Sequence, residues 1–257
     1  MACMSAILLQ AQVSTPLNMT YKDLVSPVGT ASTDDLYSDC WGWQANGKDY
    51  VIISISIASQ ANRGVAVYEV TPEGKYKLFA VNTTDNLGNL WGTVRHYNGY
   101  IYKGTEGGGI RIFKLPTDGS TNLTLIKIIS TRTHSINQDG KYLYANGQNS
   151  WGAKMTVCFD LTDPENPNPI WYWNGHYVHD LTIFNGKMYL AKMDQARTTG
   201  RFAIYNVNNP ILEDVPNSYA PKLLSESNLI LQHEYSNGFT HNIFPTPDEN
   251  YVVTTDE

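Results

Sequence analysis

The sequence predicts an all-β fold, a β-propeller of four-stranded blades, because a strand pattern repeats and no stretch shows a sustained helical period. Four alternating segments carry an aromatic residue at the fourth place, then a polar residue, then Val or Leu: 65–70 (VAVYEV), 110–115 (IRIFKL), 156–161 (TVCFDL) and 202–207 (FAIYNV). The aromatic residues are Tyr68, Phe113, Phe159 and Tyr205, so consecutive repeats lie 45, 46 and 46 residues apart. A period of this length with several strands per repeat is typical of propeller blades.

Each of these segments is predicted to be a third strand, because a hairpin precedes three of them. The hairpins span 94–104 (VRHYNGYIYKG), 135–145 (SINQDGKYLYA) and 181–191 (LTIFNGKMYLA). Their turns are Asn98-Gly99, Asp139-Gly140 and Asn185-Gly186, dipeptides that accept the positive φ angles of a two-residue hairpin turn. We interpret the weaker runs 123–129 (LTLIKII) and 222–225 (KLLS), which follow turn-rich links such as 162–169, as outer strands.

A fifth unit begins at Thr240, with two predicted strands before Glu257. A propeller closes its ring to cover the flanks of its first and last blades. The missing strands then come either from the N-terminal segment or from further chain, and we favour a propeller domain over residues 13–257 that is truncated at its C-terminus. Residues 1–12 (MACMSAILLQAQ) resemble the end of a secretory signal peptide, with an irregular N-terminal strand as the alternative.

The composition disfavours several classes of partner and site. The 257 residues include 24 acidic and 18 basic side chains, a formal charge of −6, which argues against nucleic acid as a partner. No apolar run reaches the roughly 18 to 20 residues of a membrane span. Cys3, Cys40 and Cys158 form no CxxC pair, so no structural zinc site is indicated and at most one intramolecular disulfide is possible.

Several short motifs resemble those of a known family of propellers. The run 160–167 (DLTDPENP) resembles the signature of LVIVD-repeat propellers. The segments 17–20 (LNMT), 38–43 (SDCWGW), 47–51 (GKDYV), 240–242 (THN) and 254–257 (TTDE) are similar to those of the choice-of-anchor B family. The resemblance implies a secreted or surface-attached, mostly bacterial propeller, and it implies no particular reaction. Where members carry W-R-D, this chain has Trp91-Gly92-Thr93.

Polar residues recur at the start of the first strand of each repeat. Alignment on the hairpin turns gives one column with a side-chain oxygen, which contains Asp39, Thr93, Ser135, Asp180 and Asn242. The preceding column contains Ser38, Gly92, His134, His179 and His241. Because strands one and two are antiparallel, the start of strand one lies beside the end of strand two, in or near Glu106, Asp194, Asp256 and Glu257. We therefore expect histidines and carboxylates of different blades to converge on one rim of the central channel.

Two interpretations of these columns stay open at this point. The oxygen column is explained by side chains that cap strand ends and bond to neighbouring blades. The histidines are costly to dehydrate without a partner, so we predict a divalent metal held by His134, His179 and His241, unless their rings lie too far apart to share one ion. The aromatic segments 149–152 and 171–173 (WYW) either stack sugars or fill blade cores.

The sequence predicts a binding or adhesion module, secreted or at the cell surface, and monomeric. Its partner, a protein, glycan or small molecule, docks on the face that carries the predicted ligand-binding residues His134, His179, Asp180, His241, Asp39, Asp194 and Glu106. The alternative is a metal-dependent hydrolase, lactonase-like, with His134, His179, Asp180 and His241 as ligands and a nearby carboxylate as base. No GxSxG elbow occurs and Cys158 lies in a predicted strand, which argues against nucleophilic catalysis.

Overall fold

The protein is described from a computed structural model, which covers residues 20–25, 37–56, 64–84, 92–148, 155–193, 199–215 and 221–256. The predicted signal-peptide segment 1–12, the aromatic segment 149–152, Cys3, Asp194 and Glu257 lie outside these ranges. Within them the chain forms a β-propeller of four blades, which confirms the predicted fold class.

The first two blades each contain four consecutive antiparallel strands. The first blade contains β1 (Tyr37–Ala45), β2 (Lys48–Ile55), β3 (Gly64–Val70) and β4 (Tyr76–Asn82). The second contains β5 (Gly92–Tyr97), β6 (Tyr100–Thr105), β7 (Gly109–Lys114) and β8 (Thr124–Ile129), so 123–129 is an outer strand as predicted.

The third and fourth blades also contain four antiparallel strands each, but two short strands that follow the third strand of the fourth blade join the sheet of the third blade. The third contains β9 (Ile136–Asp139), β10 (Tyr142–Gln148), β11 (Met155–Asp160) and β12 (Asn168–Asn174). The fourth begins with β13 (Val178–Phe184), β14 (Lys187–Lys192) and β15 (Thr199–Asn206). Two short strands follow, β16 (Leu212–Glu213) and β17 (Lys222–Leu224), and then β18 (Leu229–Ser236) completes the fourth blade. The fifth unit consists of β19 (Thr240–Pro245) and β20 (Val252–Asp256).

The prediction of an outer strand at 222–225 is wrong for the fourth blade. This segment is β17, which runs parallel to β12 and pairs Lys222 with Trp171 and Leu223 with Tyr172. It therefore extends the third blade and covers its outer edge. The outer strand of the fourth blade is β18, which pairs along β15 from Thr199 to Tyr205. The segment 222–225 contributes only three strand residues, too few to pair along the length of β15.

The four repeat aromatics occupy equivalent positions, as predicted. Each is buried on the third strand of its blade, with relative exposures of 6%, 0%, 4% and 1% for Tyr68, Phe113, Phe159 and Tyr205. In every blade the pairing with the outer strand shifts register immediately before this aromatic residue. A shared bulge at a shared residue is independent evidence that the four units are repeats of one structure.

Two of the predicted hairpin turns form as expected and one differs. Asn98-Gly99 and Asn185-Gly186 have positive φ at both residues, with closing pairs Tyr97–Tyr100 and Phe184–Lys187. The third hairpin closes at the pair Asp139–Tyr142, so its turn residues are Gly140 and Lys141. Only Gly140 has positive φ there, because Asp139 still belongs to strand β9.

The core lies between successive blades, and the innermost strands β1, β5, β9, β13 and β19 pack in that order around one axis. Trp171, Tyr172 and Trp173 are only 3%, 9% and 3% exposed, so the segment 171–173 fills blade cores and offers no exposed platform for a sugar. Cys40 and Cys158 are both free thiols, and burial raises the pKa of Cys158, which disfavours its reactive thiolate. Among the described residues no helix is long and apolar enough to cross a membrane.

Candidate functional site at the centre of the propeller

The starts of the five innermost strands line one cavity of about 540 Å³. All ten residues of the two predicted columns contribute to its wall: Ser38, Asp39, Gly92, Thr93, His134, Ser135, His179, Asp180, His241 and Asn242. Tyr177, Met193 and Phe239 complete the lining. The volume lies within the range of about 300 to 1,000 Å³ that is usual for sites of small ligands.

Bulges explain why both columns reach the same cavity, although successive residues of a regular strand point to opposite faces. The first strand shifts register at Ser38 in β1, at His179 in β13 and at His241 in β19. Each of these residues is the extra residue of its strand, so it shares a partner position with its neighbour. A bulge re-aims a side chain in this way, and here it turns the histidine column toward the axis.

The column residues of the third and second blades reach the cavity in other ways. The backbone N–H of His134 donates to Asn146 O at 2.8 Å, and Asn146 N–H donates to Ser135 O at 2.9 Å, so His134 and Ser135 both oppose Asn146. In the second blade Gly92 pairs regularly with Thr105. The second blade has a glycine, and therefore no side chain, at this column, and its first strand has no bulge there.

The oxygen column bonds blade to blade, in agreement with the first of the two interpretations. Asp39 Oδ2 accepts from Val94 N–H at 2.9 Å, and Thr93 Oγ1 accepts from Ile136 N–H at 2.7 Å. Ser135 Oγ donates to His179 O at 2.9 Å. The Asn242 amide, oriented to satisfy its neighbours, donates to Asp180 Oδ2 at 2.8 Å.

The histidines of three units form one cluster. Glu106 Oε1 lies 2.6 Å from His134 Nδ1, and Arg132 Nη2 donates to Glu106 Oε2 at 2.9 Å. His134 Nε2 lies 2.7 Å from His179 Nε2, and the rings of His179 and His241 have centroids 3.7 Å apart at an interplanar angle of 37°. Three of the chain's six histidines thus form one row of contacts with His179 in the middle, and the column alignment predicts that they converge.

Burial and neighbouring imidazoles determine the protonation of this cluster. Burial lowers the pKa of His179 to about 3, and His134 and His241 act in the same direction. Burial works against ionisation of Glu106, but hydrogen bonds from His134 and Arg132 hold its pKa below the ordinary value. At neutral pH a charged Glu106 therefore accepts the Nδ1–H of His134, and His179 is neutral.

The residue types of this cluster suit a divalent metal, while their spacing is that of a hydrogen-bonded pair. A carboxylate that holds the Nδ1–H of a histidine whose Nε2 is free for a ligand is the usual support of a metal-binding imidazole. Two nitrogens that share a tetrahedral zinc at about 2.1 Å lie roughly 3.4 Å apart, farther than the 2.7 Å between His134 Nε2 and His179 Nε2. In the described part of the chain, no group of three or more His, Cys, Asp or Glu is arranged to hold a metal ion. The three-histidine metal site stays a prediction.

Arg95 is paired with the cavity residue Asp39, and sequence reasoning missed it. Its Nη1 lies 3.0 Å from Asp39 Oδ2 and its guanidinium lies 4.3 Å from the centroid of the Trp41 ring. Arg95 is two positions after Thr93 on β5, so it faces the same side of the strand. That spacing is the signal that could have revealed it.

Two aromatic residues of the lining were also missed. Tyr177 and Phe239 each stand two residues before a column histidine, His179 and His241 respectively, so extending the alignment by two positions would have found them. Of the predicted strand-two carboxylates, Glu106 joins the cluster through His134. Asp256 instead accepts from Tyr235 OH of β18 and from Phe239 N–H, which links the fifth unit to the fourth blade.

Comparisons with known proteins add likenesses of architecture. No known family profile matches the chain, so the resemblance to the choice-of-anchor B family is not confirmed, and no curated protein matches it. Solved structures similar to it include the RS223 β-xylosidase, at 14% identity and a TM-score of 0.40 over 77% of this chain and 79% of that one.

Two further solved structures are similar to the chain at low identity. The β-xylosidase/α-arabinofuranosidase CoXyl43 from a compost microbial metagenome, in complex with xylotriose, is 12% identical with a TM-score of 0.42 over 79% of this chain and 81% of its own. The computationally designed protein Ika8 is 7% identical with a TM-score of 0.45 over 88% and 70%.

Proposed function

We propose that the protein is a binding module whose central cavity takes a small ligand or one side chain of a partner. The observation that carries this proposal is the convergence of two columns of side chains, from five separate strands, on one cavity of about 540 Å³. The column that contains the three histidines reaches this cavity only because four first strands begin with a bulge or an irregular pairing. Such devices weaken regular pairing, and bulges are over-represented beside functional sites.

The location of the module is a proposal that rests on the sequence. The signal-like segment 1–12 and the resemblance to surface-attached propellers support a secreted or cell-surface protein.

A fragment library screened by saturation-transfer NMR tests the binding proposal. Fragments that bind the wild type are titrated against His241→Ala, which removes a cavity wall, and His176→Ala, whose ring is exposed and outside the cavity. We expect at least a tenfold weaker affinity for His241→Ala and no change for His176→Ala. Equal affinity in both variants, or no bound fragment at all, would contradict the proposal.

A metal-dependent hydrolase, lactonase-like, is the second candidate, favoured by the Glu106–His134–His179 chain. A metal there would be held by His134 and His179, with Glu106 orienting His134, and would supply an activated water for hydrolysis. Mass-spectrometric metal analysis after equilibration with zinc, manganese or calcium tests it. Retention of a metal by the wild type and His176→Ala but not by His179→Ala would support this candidate. Absence of metal from all three proteins would rule it out.

A further inference from the structure

The charges around the cavity leave one carboxylate without an ion pair among the described residues. Asp39 is paired with Arg95 at 3.0 Å, and Glu106 is paired with Arg132 at 2.9 Å. Asp180 forms no ion pair with any residue that the structure describes. It accepts only from neutral donors, the N–H of Leu181 at 2.8 Å and the Asn242 amide, while the hydroxyl of Ser135, 3.4 Å away, gives its one proton to His179 O.

No cationic side chain of the described residues lines the cavity, since its wall includes neither lysine nor arginine. The two nearby guanidinium groups are already engaged, and the imidazole of His179 is neutral at neutral pH. The Arg95 guanidinium acts on Asp180 electrostatically, but it is bonded to Asp39 and forms no ion pair with Asp180. A buried carboxylate is costly unless a positive group or further donors accompany it.

The polar atoms left free in the wall are also acceptors. Asp39 Oδ1 and His179 Nδ1 form no hydrogen bond with any described residue, although both residues line the cavity. An ammonium group carries three donors and no acceptor, so it matches such a wall. A carboxylate or phosphate ligand would instead face Asp39 and Asp180 without a counter-charge.

The rest of the cavity wall is apolar and suits the hydrocarbon part of a ligand. Tyr177, Phe239 and Met193 supply ring and thioether surface, and aromatic faces attract ammonium groups and their attached methylenes. The cavity of about 540 Å³ is also far larger than the roughly 30 Å³ that one water occupies. A bare ion would leave most of it filled with solvent, so the volume favours an organic ligand.

We propose that the ligand of the cavity is an organic primary amine, bound as its ammonium ion beside Asp180 and Asp39, with its carbon skeleton toward Tyr177 and Phe239. This inference rests on the proposed binding function and gives its ligand a chemical class. A lysine side chain of a partner protein and a free alkylamine both belong to that class.

Matched probes that differ only in charge test the inference. Calorimetric titration compares N-acetyl-lysine amide with its neutral, Nζ-acetylated counterpart and with the anionic N-acetyl-glutamate amide. A fourth probe, n-pentylamine, shows whether a free alkylamine binds as a lysine side chain does. We expect the two amines to bind at least tenfold more tightly than the neutral and anionic probes. Asp180→Asn, which keeps the shape of the side chain, should weaken amine binding at least tenfold, while Glu165→Gln, far from the cavity on the link 162–169, should not.

The outcomes separate this inference from the proposed function. If the neutral or anionic probe binds as tightly as the amines and His241→Ala abolishes that binding, the cavity is a binding site but the inference is wrong. If no probe binds, or if Asp180→Asn binds the amines as well as the wild type does, the inference is also overturned, while the fragment screen decides the binding function. Circular dichroism of Asp180→Asn checks its fold, and Asp39→Asn gives a second variant with the same expected loss.

Discussion

At the scale of single residues, side chains at the end of the blades opposite the cavity join one unit to the next. Glu249, between β19 and β20, accepts from Asn185 Nδ2 at 2.8 Å and Tyr189 OH at 3.0 Å, and it also pairs with Lys187 Nζ. Glu165 accepts from Tyr100 OH at 2.6 Å in a similar way. Such pairings depend on the loop path of a neighbouring unit, so the sequence of one repeat does not predict them.

We expect the Glu249 contacts to stabilise the protein in a pH-dependent way. Hydrogen bonds from Lys187 and Asn185 lower the pKa of Glu249 to about 2 from 4.5. Because the folded-state pKa is depressed, the stabilisation is fully present above about pH 4.5 and is lost as the pH falls toward about 2. Denaturant unfolding should show that Glu249→Gln is less stable than the wild type at pH 7, with the difference shrinking between pH 4.5 and 2.

The matched control for this experiment is Glu213→Gln, an exposed glutamate on β16. It should follow the wild type at every pH. A Glu249→Gln penalty that stays constant from pH 7 to pH 2 would show that the carboxylate charge is not its source.

At the scale of strands, the third strand of each blade has a buried aromatic residue directly after a register shift against the outer strand. The alternating pattern and the spacing of 45 to 46 residues were enough to predict these strands and their equivalence. The crossing of β17 into the third blade was not predictable from a repeat pattern. It depends on the long link between β15 and β18, in which Leu224 happens to reach the core beside Trp171.

Phe159→Ala should destabilise the protein by about 3 to 5 kcal/mol, because a ring that is 4% exposed is replaced by a cavity between the second and third blades. Phe244→Ala is the matched control, since the ring of Phe244 is 55% exposed and loses little burial. Chemical denaturation of both variants measures the difference. Similar losses of unfolding free energy would mean that Phe159 does not occupy a blade core.

At the scale of the whole molecule, the ring of innermost strands decides what the protein can do. Five strand starts meet around one axis, so residues as distant in sequence as Asp39 and Asn242 line one cavity. Alignment of the repeats predicted this convergence, because equivalent positions of a propeller lie at one height along its axis. It could not predict the bulges that turn the histidine column inward, because they depend on the local pairing of the first two strands of each unit.

The most direct test of this convergence is the protonation of His179 in the intact protein. Imidazole ¹⁵N NMR across a pH titration, with the resonances of His179 assigned by comparison with His179→Ala, reports its charge state. We predict that His179 remains neutral well below pH 5, because burial and the rings of His134 and His241 lower its pKa to about 3. If His179 instead titrates near its ordinary value of about 6.5, its ring lies in solvent and away from the other two histidines, and the proposed convergence is wrong.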